Sequence, residues 1–201
     1  MVGEILKGMV YIQKSILQVH GHLNSKNCMV DARFNIRIGD YDHILYEDIP
    51  IRYDSTGPTN TFYHNNREHS LLWIAPEVMT ESHFNLAAFR EGRQGLPRGR
   101  TKQSDIYSLG IILQELIFRN GPAFTLEQLS PEEKIQKLIM NDLVLVKNNF
   151  TSKSIGKLEH KLAKCLAKNP LSRYPDCAAA LADLNLAGLK VGKSQKIIPN
   201  K

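Results

Sequence analysis

The sequence predicts a mainly α-helical domain with one small β-hairpin. Three features carry that prediction. Apolar residues recur at helical spacing from Ile5 to Ile16. Two short apolar runs flank a turn-rich pentapeptide at residues 31–35. Ser104 to Phe118 reads as a helix whose apolar stripe is too wide for an ordinary surface helix.

The chain opens on the first of these. Ile5, Met9, Ile12 and Ile16, with Val10 and Leu17 beside them, predict an amphipathic helix through about Ser15. Cys28 to Val30 and Ile36 to Ile38 then read as two strands around Asp31-Ala32-Arg33-Phe34-Asn35. From Tyr41 to His69 the chain is rich in Asp, Asn, Thr, Pro and Gly without periodicity, and is expected to be a long loop of the kind that is usually functional or disordered. Pro76, at a helix N1 position, opens a short turn, and Gly92 to Gly99 with Pro97 reads as a second loop.

In Ser104 to Phe118, Ile106, Leu109, Leu113, Leu116 and Ile117 share a face and Ile111 and Ile112 widen it. This helix is expected at the centre of the core, with Ser104 as its cap. Ser130-Pro131-Glu132-Glu133 is an N-cap, a first-position proline and two acids ahead of Ile135, Leu138 and Ile139, which predicts another helix. Ile155 to Leu166 and Cys177 to Leu186 complete a helical C-terminal half. Residues 1–188 are thus expected to form one domain and 189–201 a basic, flexible tail.

Composition narrows the function. With 42% hydrophobic and 23% charged residues, the chain of 201 residues has an ordinary globular balance. No run approaches the roughly 18 apolar residues a membrane helix needs, since Gln114 and Glu115 interrupt even Leu109 to Phe118, so no membrane contact is expected of this segment. The scattered Glu4, Lys7, Lys14 and His20 leave no secretory h-region, and a cytosolic setting is expected. Cys28, Cys165 and Cys177 form no C-x-x-C pair, which fits free thiols. The net charge of +6 is concentrated between Arg90 and Lys102 and in the tail, without interleaved aromatics, so no nucleic-acid partner is expected.

Five features occur in a fixed order. They are His20-Gly21-His22-Leu23-Asn24-Ser25-Lys26-Asn27 between a helix and a strand, Asp40-Tyr41-Asp42 after the second strand, Ala75-Pro76-Glu77, Asp105-Ile106-Tyr107-Ser108-Leu109-Gly110, and Arg173 after Asn169-Pro170. This series resembles the C-terminal lobe of protein kinases, with H-R-D-L-x-x-x-N, D-F-G and A-P-E in their places and the N-terminal lobe absent. The wording around the motifs, Cys28-Met29-Val30-Asp31, Leu72-Trp73-Ile74-Ala75-Pro76-Glu77 and Ser108-Leu109-Gly110-Ile111-Ile112-Leu113-Gln114-Glu115, is similar to the kinase-homology domain of receptor guanylyl cyclases.

That resemblance implies a catalytically silent fragment. His22 stands where kinases carry the aspartate that orients the substrate hydroxyl, Gly21 replaces the neighbouring arginine, and Asn24 replaces the loop lysine. Asn27 and Asp40 occupy the positions that hold magnesium against the nucleotide, and both offer oxygen ligands. Asp42 stands in the place of the hinge glycine, where an aspartate has fewer backbone conformations open to it. No glycine-rich phosphate loop or strand lysine is present, so no cofactor is required and Mg-ATP is expected to bind only weakly, in a full-length parent.

Glu77 and Arg173 are implied to form a buried bidentate pair, and Asp105 to hold backbone donors of the 20–27 loop. A metal site built on His20 and His22 lacks further ligands nearby in sequence. The implied parent is an integral plasma-membrane receptor with this segment in the cytoplasm. Its implied partners are protein, a cyclase domain or a dimer mate, and its output is cyclic GMP. Two alternatives stay open: an active protein kinase fragment, and a stand-alone pseudokinase interaction module.

Overall fold

A computed structural model describes residues 1–41, 69–91, 93–97, 99–122, 128–140 and 153–186. The expectations for 42–68, for Asp42 and for the tail at 189–201 fall outside the described residues.

Helix α1 (Val2–Lys14) buries Ile5, Leu6, Met9 and Ile12; Ile16, expected on the same face, lies past the helix end and is exposed. The hairpin follows, with β1 (Cys28–Val30) antiparallel to β2 (Ile36–Ile38) in the register Cys28 to Ile38, Met29 to Arg37 and Val30 to Ile36. Asp31 closes its turn by accepting the amides of Arg33 and Asn35 on Oδ1.

A 3₁₀ turn at Leu71–Trp73 leads into α2 (Pro76–Glu81), a helix of six residues where a turn was expected. Helix α3 (Leu86–Arg90) was not foreseen. Asn85 caps it by accepting the Ala88 amide, and it delivers Phe89 to the core against Phe84. Then come α4 (Lys102–Phe118), α5 (Pro131–Ile139), α6 (Lys153–Cys165), a 3₁₀ turn at Pro170–Ser172, and α7 (Cys177–Leu186).

Helix α4 is the axis of the core. Every residue from Ser104 to Gln114 is buried, so the helix is enclosed on all sides. Its start corrects the expected cap. Thr101, three residues upstream of Ser104, is the N-cap: its Oγ1 accepts the Ser104 amide while Ser104 Oγ accepts the Thr101 amide. Ser104 therefore closes the capping box from within the first turn.

Helix α6 lies against α4 at Gly110, where a Cβ would come within 2.7 Å of Leu166 Cδ2 and 2.9 Å of Cys165 Cβ. Helix α7 packs on α1, α2 packs on α5, and β2 rests on α1. Helix α5 begins at Ser130, whose Oγ accepts the Glu133 amide while the Glu133 carboxylate accepts the Ser130 amide.

Candidate functional site

The loop between α1 and β1 is built on one buried carboxylate. Asp105, in the first turn of α4, accepts the His20 amide on Oδ2 and the Gly21 amide on Oδ1, both at 2.9 Å. Gln13 donates to Oδ2 from α1 at 3.4 Å and accepts the Cys177 amide at 2.8 Å, so one side chain joins the loop's anchor to the start of α7. Gly21 sits at φ +73°, a left-handed conformation that side chains rarely adopt, which suits glycine rather than arginine to this place. Burial raises the Asp105 pKa to about 6 despite these donors.

His20 is fully buried and its tautomer follows from its partners. The His22 amide donates to His20 Nδ1 at 3.2 Å, so Nδ1 is an acceptor and the proton sits on Nε2, which donates to the Gly39 carbonyl at 3.1 Å. Burial, with His22 nearby, lowers its pKa to about 4. A neutral His20 thus ties the loop to the end of β2.

The next residue, Asp40, has φ +60°, a left-handed conformation that aspartate tolerates better than most residues. Its Oδ2 receives two side-chain donors. His22 Nδ1 stands 2.6 Å away and, facing a carboxylate, must carry the proton; Asn27 Nδ2 donates at 3.1 Å. Asn27 Nδ2 also donates to the His22 carbonyl at 2.9 Å, which fixes the orientation of the amide. Asn24 turns inward. Its Oδ1 accepts the Asn27 amide and its Nδ2 donates to the His22 carbonyl, so it caps the 3₁₀ turn at Ser25–Asn27.

The donor types of Asn27 and Asp40 suit a magnesium ion, but their arrangement does not. Asn27 turns its amide nitrogen rather than its oxygen toward Asp40, and Asp40 Oδ2 is already engaged by that nitrogen and by His22. Among the described residues no cluster of three or more His, Cys, Asp or Glu side chains forms a metal site.

A second set of contacts fixes the other wall. Arg173 closes on Glu77 with both nitrogens, Nη1 to Oε1 at 2.6 Å and Nη2 to Oε2 at 2.8 Å. Its remaining donors go to the carbonyls of Ala167, Gln103 and Lys168, and its guanidinium lies over the Tyr107 ring at 5.0 Å. Glu115, at the far end of α4, accepts the Trp73 indole at 2.9 Å and the Ser25 hydroxyl at 3.1 Å. It links the 20–27 loop to the Leu71–Trp73 turn, and burial raises its pKa.

Residues 1–178 match the family model described as protein tyrosine and serine/threonine kinase. The chain belongs to the protein kinase family. Within this kinase fold the sequence is similar to one stretch of several longer proteins. It is 31% identical over 179 residues to atrial natriuretic peptide receptor 2 of Homo sapiens, covering 88% of this chain and 15% of that protein. It is 33% identical over 137 residues to receptor-type guanylate cyclase gcy-28 of Caenorhabditis elegans, covering 67% of this chain and 9% of the relative. Over 205 residues it is 29% identical to guanylate cyclase 32E of Drosophila melanogaster, covering 100% of this chain and 16% of the relative. The chain thus spans less than a fifth of the length of these curated relatives, and the stretch matched is their kinase-homology region.

Gln13 and Glu115 were given no role from sequence. The signal for Gln13 was a polar residue beside the buried stripe of α1, and for Glu115 an acid closing a long apolar helix. No described helix is long and apolar enough to cross a membrane.

Proposed function

We propose that this chain is a catalytically silent kinase-homology segment that regulates cyclic GMP synthesis in a longer parent protein. The observation that carries the reading is the His22 to Asp40 contact at 2.6 Å. Where a kinase orients the substrate hydroxyl with a carboxylate, this chain has an imidazole. Its proton is directed at the site's own acid rather than awaiting one from a substrate. Gly21 and Asn24 supply no cation, and Asn24 is committed to holding the loop. The loop is nonetheless anchored through Asp105, Gln13 and Glu115, as suits a segment kept for its shape.

Two of the relatives carry guanylate cyclase in their names, which supports a parent that converts GTP to cyclic GMP. Regulation then works through protein contacts, with a cyclase domain or a dimer mate as partner. It requires that the segment contact that partner differently in the parent's active and inactive states. Nucleotide is not needed for the chain's own role, and weak Mg-ATP binding would belong to a full-length parent. We place the segment on the cytoplasmic side of a membrane receptor.

The test has two arms. The purified chain, incubated with labelled ATP and magnesium or manganese, is expected to label neither itself nor generic substrates; turnover abolished by His22→Ala would replace this reading with that of an active kinase. In the parent, deleting the segment or mutating the 40–77 span is expected to change basal or stimulated cyclic GMP formation. Unchanged rates, or a parent without a cyclase region, would leave the interaction-module reading.

A further inference from the structure

The core helix α4 ends on a dipeptide that the site does not use. Arg119 follows Phe118 at φ +53°, a left-handed residue that turns the chain out of the helix, and Asn120 and Gly121 come next, both exposed. Asn120-Gly121 is the only Asn-Gly pair in the sequence. A Cβ added at Gly121 would meet no described atom within 4 Å, so the approach to the peptide bond between the two residues is open. Among the described residues, the Gly121 amide donates to no acceptor and the Asn120 side chain makes no hydrogen bond.

The other asparagines with described side chains differ on both counts. Asn24, Asn27, Asn35, Asn85 and Asn169 each commit the side chain to a hydrogen bond, and none precedes a glycine. An amide held in this way must break that bond before its carbon can turn toward the next peptide nitrogen, and a side chain on the following residue crowds the approach. Glycine at 121 removes the crowding and leaves the backbone the widest choice of φ and ψ.

We propose that Asn120 is a site of spontaneous covalent modification, converting through a cyclic imide with Gly121 to aspartate and isoaspartate. The Gly121 nitrogen attacks Asn120 Cγ; the N–Cγ bond forms, the Cγ–Nδ2 bond breaks, and Nδ2 leaves as ammonia with the proton that Gly121 gives up. Water then opens the ring. Cleavage at Cγ leaves aspartate, whereas cleavage at the main-chain carbonyl carbon leaves isoaspartate, with the main chain routed through Cβ and Cγ. The only co-reactant is water. Either product places a carboxylate just past the C-terminal end of α4, where the helix carbonyls already carry partial negative charge.

In the test, the whole folded chain is incubated in neutral buffer at body temperature and then cut after glutamate, which releases residues 116–127 as one peptide. Chromatography with mass spectrometry, against an unincubated control digested in parallel, is expected to show this peptide giving two acidic forms, one of them methylated by a protein-isoaspartate methyltransferase. Peptides carrying the other asparagines named above are expected to convert at least about tenfold more slowly. Gly121→Ala, which fits the open space, should slow conversion of Asn120 about tenfold or more, equal to about 1.4 kcal/mol in the barrier. Because the folded chain leaves the pair unheld, unfolding in urea should change its rate by less than about threefold. Two results overturn the proposal. If Asn120 stays intact in the folded chain while the urea-unfolded chain converts, the fold holds the pair. If aspartate forms without isoaspartate, no ring has opened.

Discussion

Arg173 holds Glu77 with two parallel hydrogen bonds of 2.6 and 2.8 Å while its own side chain is 0% accessible. The pair joins the N-terminus of α2 to the turn before α7, positions 96 residues apart. Glu77→Ala would leave a buried guanidinium facing only carbonyls and the Tyr107 ring, and is expected to cost about 3 to 5 kcal/mol. Arg173→Ala should cost at least as much, because it also strips the carbonyls of Ala167 and Gln103 of their donor. Arg173→Lys keeps the charge but not the fork and should recover only part. In urea denaturation the double alanine variant is expected to lose less than the sum of the single losses. Additive losses below about 1 kcal/mol would mean that the pair behaves as an exposed one.

His20 and Asp105 are expected to titrate in opposite senses over overlapping ranges. Burial lowers His20 from 6.5 to about 4, so the unfolded chain takes up this proton first and stability falls as pH drops from 6.5 toward 4. Burial raises Asp105 from 3.8 to about 6, so the folded chain takes up that proton first and stability is gained as pH drops from 6 toward 3.8. The two contributions offset in the unaltered protein. His20→Gln removes one of them. Its stability relative to the unaltered chain is therefore expected to rise between pH 7 and pH 4, by up to about 3 kcal/mol. A difference that stays constant with pH would show that His20 titrates with its ordinary pKa.

Gly110 lies where α4 meets the end of α6. An added methyl would overlap the Leu166 side chain at 2.7 Å and the Cys165 Cβ at 2.9 Å, and the second of these cannot rotate away. Gly110→Ala is expected to destabilise by about 1 to 3 kcal/mol, the range for overpacking a filled core. Adding Leu166→Ala relieves the first overlap only, so thermal denaturation should show incomplete rescue. Full rescue would place the strain on Leu166 alone.

The parts of this fold that were legible in the sequence are those decided locally. The stripe of α1 as far as Ile12, the hairpin around Asp31 and the enclosed length of α4 follow from spacing and turn residues, and the structure has them in those places, whereas Ile16 falls past the end of α1 and is exposed. Helix α3 was not legible, because Asn85-Leu86-Ala87-Ala88-Phe89 carries a single buried anchor, Phe89, and too few turns for a period to show. The cap of α4 was misplaced because Thr101 and Ser104 both have the chemistry of a cap and only backbone geometry separates them.

In the site, motif order placed His22, Asn27 and Asp40 together, but it gave no sign that His22 Nδ1 and Asn27 Nδ2 would share one Asp40 oxygen. That depends on the left-handed backbone at Asp40 and on the tautomer forced on His20, both consequences of tertiary contact.

Trp73 is the one tryptophan of the chain and donates its indole N–H to Glu115, so its fluorescence reports on that carboxylate. Burial raises the Glu115 pKa above 4.5, and the donors Trp73 and Ser25 oppose the shift without cancelling it. A neutral carboxylic acid is a weaker acceptor than a carboxylate, so protonation should loosen the indole contact and change the emission of Trp73. Between pH 7 and 4, with the fold followed in parallel by circular dichroism, the emission is expected to titrate with a midpoint above 4.5. Because the folded state binds this proton more tightly than the unfolded chain, Glu115 by itself adds stability as pH falls through the titration. The fluorescence change is therefore expected before any loss of helix. Glu115→Gln should remove the titration while keeping an acceptor for the indole, and Ser25→Ala should move the midpoint further up by deleting one of the two donors. If the titration survives Glu115→Gln, the emission is reporting on another acid, and the link between the 20–27 loop and the Leu71–Trp73 turn does not run through Glu115.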